Sequence, residues 1–491
     1  MHRLSAAIAL ALSGCQLAGA WAEEQVDAAP AVLFVRQGAA PQLEHADGSE
    51  ARPFPSIGAA LAAAPAGALL RIDEGIYREN LVLTRRVVLL GRGAGRTRIV
   101  AADARTPSLE VRPAAEHVEI HGLSIEEAAT CASFTGGKHK LRNFELRNCI
   151  EAALVGRGAQ LELVAGSITA ISGGRDGRGV DLQGGSLTAR AVVFREAGRR
   201  AIVLNGAGGV LEDLEVHGSS LSALQATGGA DAQVLRGIYE GRNGAALYAG
   251  GSRLRVEGAR VRRGEYAILG FKGAEVIVVG GELTDYSVAG VALVNAHGSV
   301  EKVTISRGGT DAAISITRAD GMKPVLLADN RISHPGTMGV HVTESAVTVR
   351  GNTITGARLD AESDMGDAVF AVDSRLVIEQ NVMRANAGSG VAALRSQVRL
   401  TGNGFFGNGR AGLLLLDSSR GSATGNTFTH NQRAGVELGE LARATLTQNR
   451  FGRNVRLDVD AGCGKGLSGT ADIGEGNFAL GGVLRQRICP P

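Results

Sequence analysis

The chain has 491 residues, of which 52 are basic and 49 acidic, giving a formal net charge of +3. A balance this close directs no sustained field at nucleic acid, which excludes nucleic acid as the main partner. With 70 glycines, about twice the ordinary share of roughly 7%, and aromatic residues at only 4%, the composition suits tight turns and thin layers and excludes a bulky aromatic core.

Residues 1–22 read as an export signal: His2 and Arg3, the apolar run LSAAIALAL, then small residues near two cuts. LSGC at 12–15 resembles a bacterial lipobox and would leave Cys15 as a lipidated N-terminus, whereas AWA at 20–22 is an A-x-A site for ordinary cleavage. The four lipobox positions match in order, which favours lipidation; the expected location is the periplasm or an outer-membrane or cell-surface lipoprotein. An acyl chain would be the only membrane attachment, because no later run is long and apolar enough to span a bilayer. Residues 23–53 read as a tether. Beyond Cys15 stand Cys131, Cys149, Cys463 and Cys489, an even count that suggests two disulfides in an exported chain. Proximity favours Cys131 with Cys149 and Cys463 with Cys489, among three pairings.

The first predicted element is a short helix in FPSIGAALAAAPAG, where Ser56 can cap it and Ile57, Ala60, Leu61 and Ala64 share a face. From Leu69 to Asp460 the chain reads as short segments of period two, such as LTARAVVF, LRVEGARV and VTVRGN, each a strand too short for a sheet of its own. Asparagines recur at Asn330, Asn352, Asn381, Asn403, Asn426 and Asn449, spaced 22, 29, 22, 23 and 23, and a second column holds Asn386, Asn408, Asn431 and Asn454. A fixed period of this kind implies stacked coils, each the template for the next. About 17 coils at roughly 4.8 Å make a rod of roughly 80 Å. Asparagine at the turns can take the left-handed conformation and pass side-chain hydrogen bonds from coil to coil. Residues 461–491 lose the period and are expected to cap the far end, with the second cysteine pair.

The fold class expected is all-β: a single-stranded right-handed parallel β-helix over residues 54–460, with an N-terminal helical cap and a disulfide-bearing C-terminal cap. SIGAALAAAPAGALLRIDEGIYRENLVLTRRVVLLGRGAGRTRIV, residues 56–100, resembles the N-terminal cap and first coil of the pectin methylesterase and pectate lyase superfamily. The resemblance implies that fold but transfers no activity. The GYQDTL-like and DFIFG segments of the esterases, the DPHD of mannuronan epimerases, the paired aspartates of polygalacturonases and the arginine motif of the lyases are all missing. The nearest string, SHPGTMG at 333–339, does not fit, so catalytic residues are unassigned.

A small-small-aliphatic motif aligns Leu247, Ile268, Val291, Ile314, Val340, Val369, Val391, Leu413 and Val436 as inward anchors. The next residue in each coil then points outward: Tyr248, Leu269, Ala292, Ser315, His341, Phe370, Ala392, Leu414 and Glu437. Four residues beyond the anchors lies a polar edge of Lys272, Asn295, Arg318, Glu344, Asp373, Arg395, Asp417 and Glu440, whose bland reading is a solvated turn. Tyr239, Tyr248, Tyr266 and Tyr286 cluster with Phe271 and Lys272, and rings on successive coils would offer sugars a platform. Lys272 and Arg318 would hold a uronate carboxylate, and His341 joins the set as an acid or base. The opposing reading is that these rings fill space, and Trp21 as the only tryptophan weighs against sugar stacking.

Two clusters raise the question of metal, and the favoured readings are a solvated acidic loop for the first and a surface histidine pair for the second. Asp360, Glu362, Asp364 and Asp367 in RLDAESDMGD suit Ca2+, although the glycine and closing glutamate of an EF-hand are missing. His117 and His121 share a strand face near His139 but lack a close third ligand. No cofactor is certain. The expected function is binding or modification, as a lyase, epimerase or hydrolase, of an acidic polysaccharide or cell-wall glycan. The alternative is a non-enzymatic adhesive rod that presents loops to a protein or to the wall. Oligomeric state is not legible.

Overall fold

A computed structural model describes residues 30–38, 46–172, 176–319, 324–360, 362–439, 441–462 and 469–488. The leader, Cys15, Glu440, Cys463 and Cys489 lie outside the described residues. The chain is a right-handed parallel β-helix of about 18 turns. Period-two segments of three to six residues can bury one face only by stacking, so each coil contributes up to three short strands.

One stack runs from Val32–Val35 through Ala68–Ile72 to Thr470–Ile473, and a second from Gly75–Arg78 to Phe478–Ala479. The two merge into a 35-stranded parallel sheet where Gln160–Thr169 and Ser186–Arg195 run through both. The third stack rises linearly from Leu81–Leu83 to Gln486–Arg487, each strand paired only with the coils before and after it. Leu, Ile, Val and Ala line the interior, and Phe405, Phe428 and Phe451 stack there with centroids 4.8 and 5.2 Å apart, the spacing of the coils.

Closure at the front differs from a purely helical cap. The helix Ile57–Ala63 forms, with Ser56 Oγ accepting from the Ala59 N–H at 3.1 Å and Glu79 accepting from Ile57 and Gly58 at 2.8 and 2.7 Å. It packs against both Val32–Val35 and Leu81–Leu83, and it is Val32–Val35, inside the segment read as a tether, that pairs with Ala68–Ile72 and closes the first stack. At the far end the described part of 461–491 keeps the coil geometry, adding Thr470–Ile473, Phe478–Ala479 and Gln486–Arg487 as one more turn. Its loss of period is a change of side chains over an unchanged backbone pattern. The Cys131–Cys149 disulfide is present, with Cα atoms 5.7 Å apart.

The asparagine column is a continuous buried ladder. Asn381 donates both its backbone N–H and its Nδ2 to Asn403 Oδ1, at 2.9 and 3.0 Å, and Nδ2 also reaches the Val349 carbonyl at 2.8 Å. The same exchange runs from Asn330 to Asn449 and continues to Asn477, which the spacing did not reveal. The left-handed residue is the one before each asparagine, contrary to expectation: Asp329, Gln380 and Gln448 have φ of 56°, 57° and 57°, and Gly351, Gly402 and Gly425 have 68°, 66° and 68°. That bend turns the following side chain inward, where its amide bridges coils. Upstream the same bend precedes Leu123, Phe144, Leu214, Ala259 and Val303, which fill the position with apolar atoms. A third bend carries a shorter ladder, in which Ser345 donates its N–H to Ser374 Oγ, Ser374 to Ser396, and Ser396 to Ser419.

The ladder and the surface should therefore respond differently to substitution. Asn403→Ala strands the buried Asn381 N–H and should cost roughly 2–4 kcal/mol in urea unfolding. Arg395→Ala removes only exposed pairs with Asp373 and Asp417 and should leave the midpoint almost unmoved.

Candidate functional site

The third stack carries the outward row that the motif predicts. Its register joins Tyr248 to Leu269, then Ala292, Ser315, His341, Phe370, Ala392, Leu414 and Glu437, while the preceding anchors are buried. The row extends upstream through Gln225, Val203, Asp181, Val155 and Ser133. The same small-plus-aliphatic pairs, Gly179-Val180, Ala201-Ile202 and Ala223-Leu224, mark those coils, so this half was open to sequence reasoning and was missed.

Two concavities lie on this face. One, of about 530 Å³, is lined by Ser133, Glu151, Arg157, Asp176, Arg178 and Asp181 among others. The second, of about 410 Å³, holds Ser222, Gln225, Tyr248, Glu265, Tyr266 and Leu269. The coil bearing Arg200 and Val203 lies between them in the register, on a stretch of this face that runs roughly 29 Å from Ser133 to Leu269 at about 4.8 Å per coil.

The two ends differ in chemistry. At the charged end Asp181 stands on the outward row, almost buried, and is ion-paired with Arg178. At the aromatic end Tyr248 and Tyr266 are half-buried rings on successive coils. Gly250 leaves room for Tyr248 to lie along its strand, since a Cβ there would meet the phenol oxygen at 2.7 Å. Burial, with Glu265 and Asp311 nearby, holds the Tyr266 phenol above its ordinary pKa, so at neutral pH it offers a hydroxyl rather than a base.

Of the residues singled out beforehand, only Tyr248 and Tyr266 meet in the groove. Phe271 stands two residues beyond Leu269, with Lys272 Nζ 5.4 Å from its ring centroid. Lys272 itself is exposed on a left-handed turn at φ 53°. Arg318 occupies the equivalent turn and is already paired with Glu344 at 3.0 Å, which is the solvated-turn reading of that edge. Tyr286 and Tyr239 face the core: Tyr286 donates to the Pro335 carbonyl at 3.1 Å, and burial drives both phenols far above the ordinary range. They belong to other bends and another sheet than the row, so they supply no platform. His341 lies on the row four coils beyond Tyr248, with Nδ1 3.7 Å from Asp311 and Nε2 3.2 Å from Thr343 Oγ1.

Neither the acidic loop nor the histidines gather a ligand set. Among the described residues no three His, Cys, Asp or Glu side chains are grouped to hold an ion. Asp360 accepts from the Ser363 N–H at 3.0 Å, Glu362 is exposed, Asp364 pairs with Arg410, and Asp367 turns inward. His117 and His121 each contact one oxygen of Glu119, at 3.0 and 2.8 Å. His139 sits in register with Val118 on the buried face, its Nε2 2.8 Å from the Gly136 carbonyl.

A family model described as the right handed beta helix region matches residues 312–474. Comparison with curated proteins finds no match. Among solved structures, the A-module of mannuronan C-5 epimerase AlgE4 from Azotobacter vinelandii is 13% identical over 86% of this chain and 92% of that one, with a TM-score of 0.29. The catalytic unit of thermostable GH87 α-1,3-glucanase from Streptomyces thermodiastaticus strain HF3-3 is 14% identical, covering 85% of this chain and 64% of its own, at a TM-score of 0.26. Tailspike protein 3 of bacteriophage CBA120 is 11% identical over 91% and 61%, at 0.27. This chain thus spans less than two thirds of the glucanase unit and of the tailspike. Similarity at this level carries no argument about activity.

Asp367 has a measurable signature of its own. Burial raises its pKa from 3.8 to about 6, against the opposing hydrogen bonds from Ser389 and Gly366. The folded state therefore holds this proton more tightly than the unfolded chain, and the stability so gained is complete below pH 3.8 and lost as pH rises through about 6. Asp367→Asn should leave stability little changed at pH 4 and raise it by on the order of 1–3 kcal/mol at pH 7, read as melting temperature against pH.

Proposed function

We propose that this β-helix binds a linear glycan along the groove of the third stack, and that acidic, uronate-containing polysaccharides are its preferred class. The observation that supports the reading is the order of concavities on one face, which leads over successive coils from an arginine-bearing one to one that holds two tyrosines. A tyrosine offers a sugar an apolar ring face and a polar tip, and an arginine offers a carboxylate a planar fork of donors. An extended polymer suits a rigid row whose repeat is set by strand spacing.

Export through residues 1–22, with lipidation at Cys15, belongs to the same reading, because it would hold the rod at the cell envelope where such polymers are met. A second reading, a rod that docks a protein, is favoured by Phe478, Leu480 and Val483, which are exposed on the last described turn.

Affinity electrophoresis of the leaderless protein against acidic and neutral polysaccharides, with product formation followed in parallel, separates these readings. Tyr248→Ala and Tyr266→Ala should each weaken glycan binding by about tenfold, near 1.4 kcal/mol. Lys272→Ala, on the turn outside the groove, should leave it unchanged. Absence of binding across the panel would reject the glycan reading in favour of the protein-docking rod.

A further inference from the structure

The strand register places Arg178, Arg200 and Ser222 in one column on successive coils, with Arg178 lining the charged concavity and Ser222 the aromatic one. Two guanidinium groups one coil apart repel unless something neutralises them. Arg178 has its counter-ion within its own strand, in Asp181. Arg200 is held differently: its Nε donates to Gln225 Oε1 at 2.5 Å, a neutral acceptor that orients the guanidinium without cancelling its charge. Among the described residues Arg200 makes no ion pair, and Arg199 beside it adds like charge. Burial, then Arg199 and Arg178, draw its pKa down, while Asp176 and Asp181 act from farther along the groove in the other sense. The next position in the column is Ser222, whose buried hydroxyl has no hydrogen-bond partner among the described residues. By register Arg200 lies between the charged concavity and the aromatic one, and Tyr266 follows three coils beyond it in the same column, after Ser222 and Ala245.

We infer that Arg200, oriented by Gln225 and flanked by Ser222, is the subsite that receives the oxyanion substituent of an acidic glycan and sets the preference for charged over neutral polymers. The inference rests on the glycan reading and moves its anion-binding element away from Lys272 and Arg318. A carboxylate or a sulfate on the sugar supplies the missing counter-charge. The polymer continues toward Tyr248 and then Tyr266, the latter about 14 Å farther along the stack, so charge selects and the aromatic end grips.

The test uses the leaderless chain with homogalacturonan as the carboxylate probe, dextran sulfate as the sulfate probe and unsubstituted dextran as the neutral one. Arg200→Gln removes the charge and Arg200→Lys keeps it; circular dichroism melting shows that each variant is folded. The expected result is that Arg200→Gln loses about tenfold in affinity for whichever acidic polymer the wild type prefers, with a shallower salt dependence. Any binding of dextran should be unchanged, and Arg200→Lys should recover most of the loss. Loss on homogalacturonan alone assigns a carboxylate, on dextran sulfate alone a sulfate, and on both a general oxyanion site. A folded Arg200→Gln that keeps the wild-type preference overturns the role of Arg200 while leaving the glycan reading intact. A wild type that binds none of the three, or only dextran, overturns the acidic-glycan reading and this subsite together.

Discussion

Coil-to-coil hydrogen bonding in parallel register is the constraint from which the rest of this molecule follows. Each strand finds its donors and acceptors on the coils above and below, so a side chain's position in one coil dictates which side chains it meets in the next. The interior then becomes a set of columns, and a polar residue is tolerated inside only if its column continues. The asparagine amides satisfy that condition by accepting from the preceding coil and donating onward. Phe405, Phe428 and Phe451 satisfy the apolar version of it.

The same constraint builds the candidate site. A row of outward residues on the third stack is a ruler with one mark per coil, and the groove is what appears where several marks are complementary to one ligand. Ion pairs decide which charges remain for that ligand. Arg178 is neutralised by Asp181, Arg318 by Glu344, and Arg395 by Asp373 and Asp417, whereas Arg200 is oriented by a neutral amide.

Much of the fold was legible because it is periodic. The small-small-aliphatic motif placed Leu247 through Val436 inward and Tyr248 through Glu437 outward, and the register agrees at every coil. The site was half legible. Tyr248 and Tyr266 could be placed because they stand within aligned strands. Tyr286 and Asp367 could not, since each sits at a bend where a change of backbone angle, rather than alternation, chooses the direction of the side chain. The ladder asparagines show the same limit: their spacing was plain, but the left-handed residue is their predecessor.

By itself, then, the sequence determined the repeat, the stacking of coil on coil and the in-or-out alternation of the strands, because these depend on local pattern and on a spacing of 22 or 23 residues. Only the tertiary structure decided how the ends are closed, which bends turn their side chains into the core, and which arginine on the groove is left with a neutral partner. Those outcomes depend on distances between atoms on different coils, and no periodicity along the chain encodes a distance of that kind.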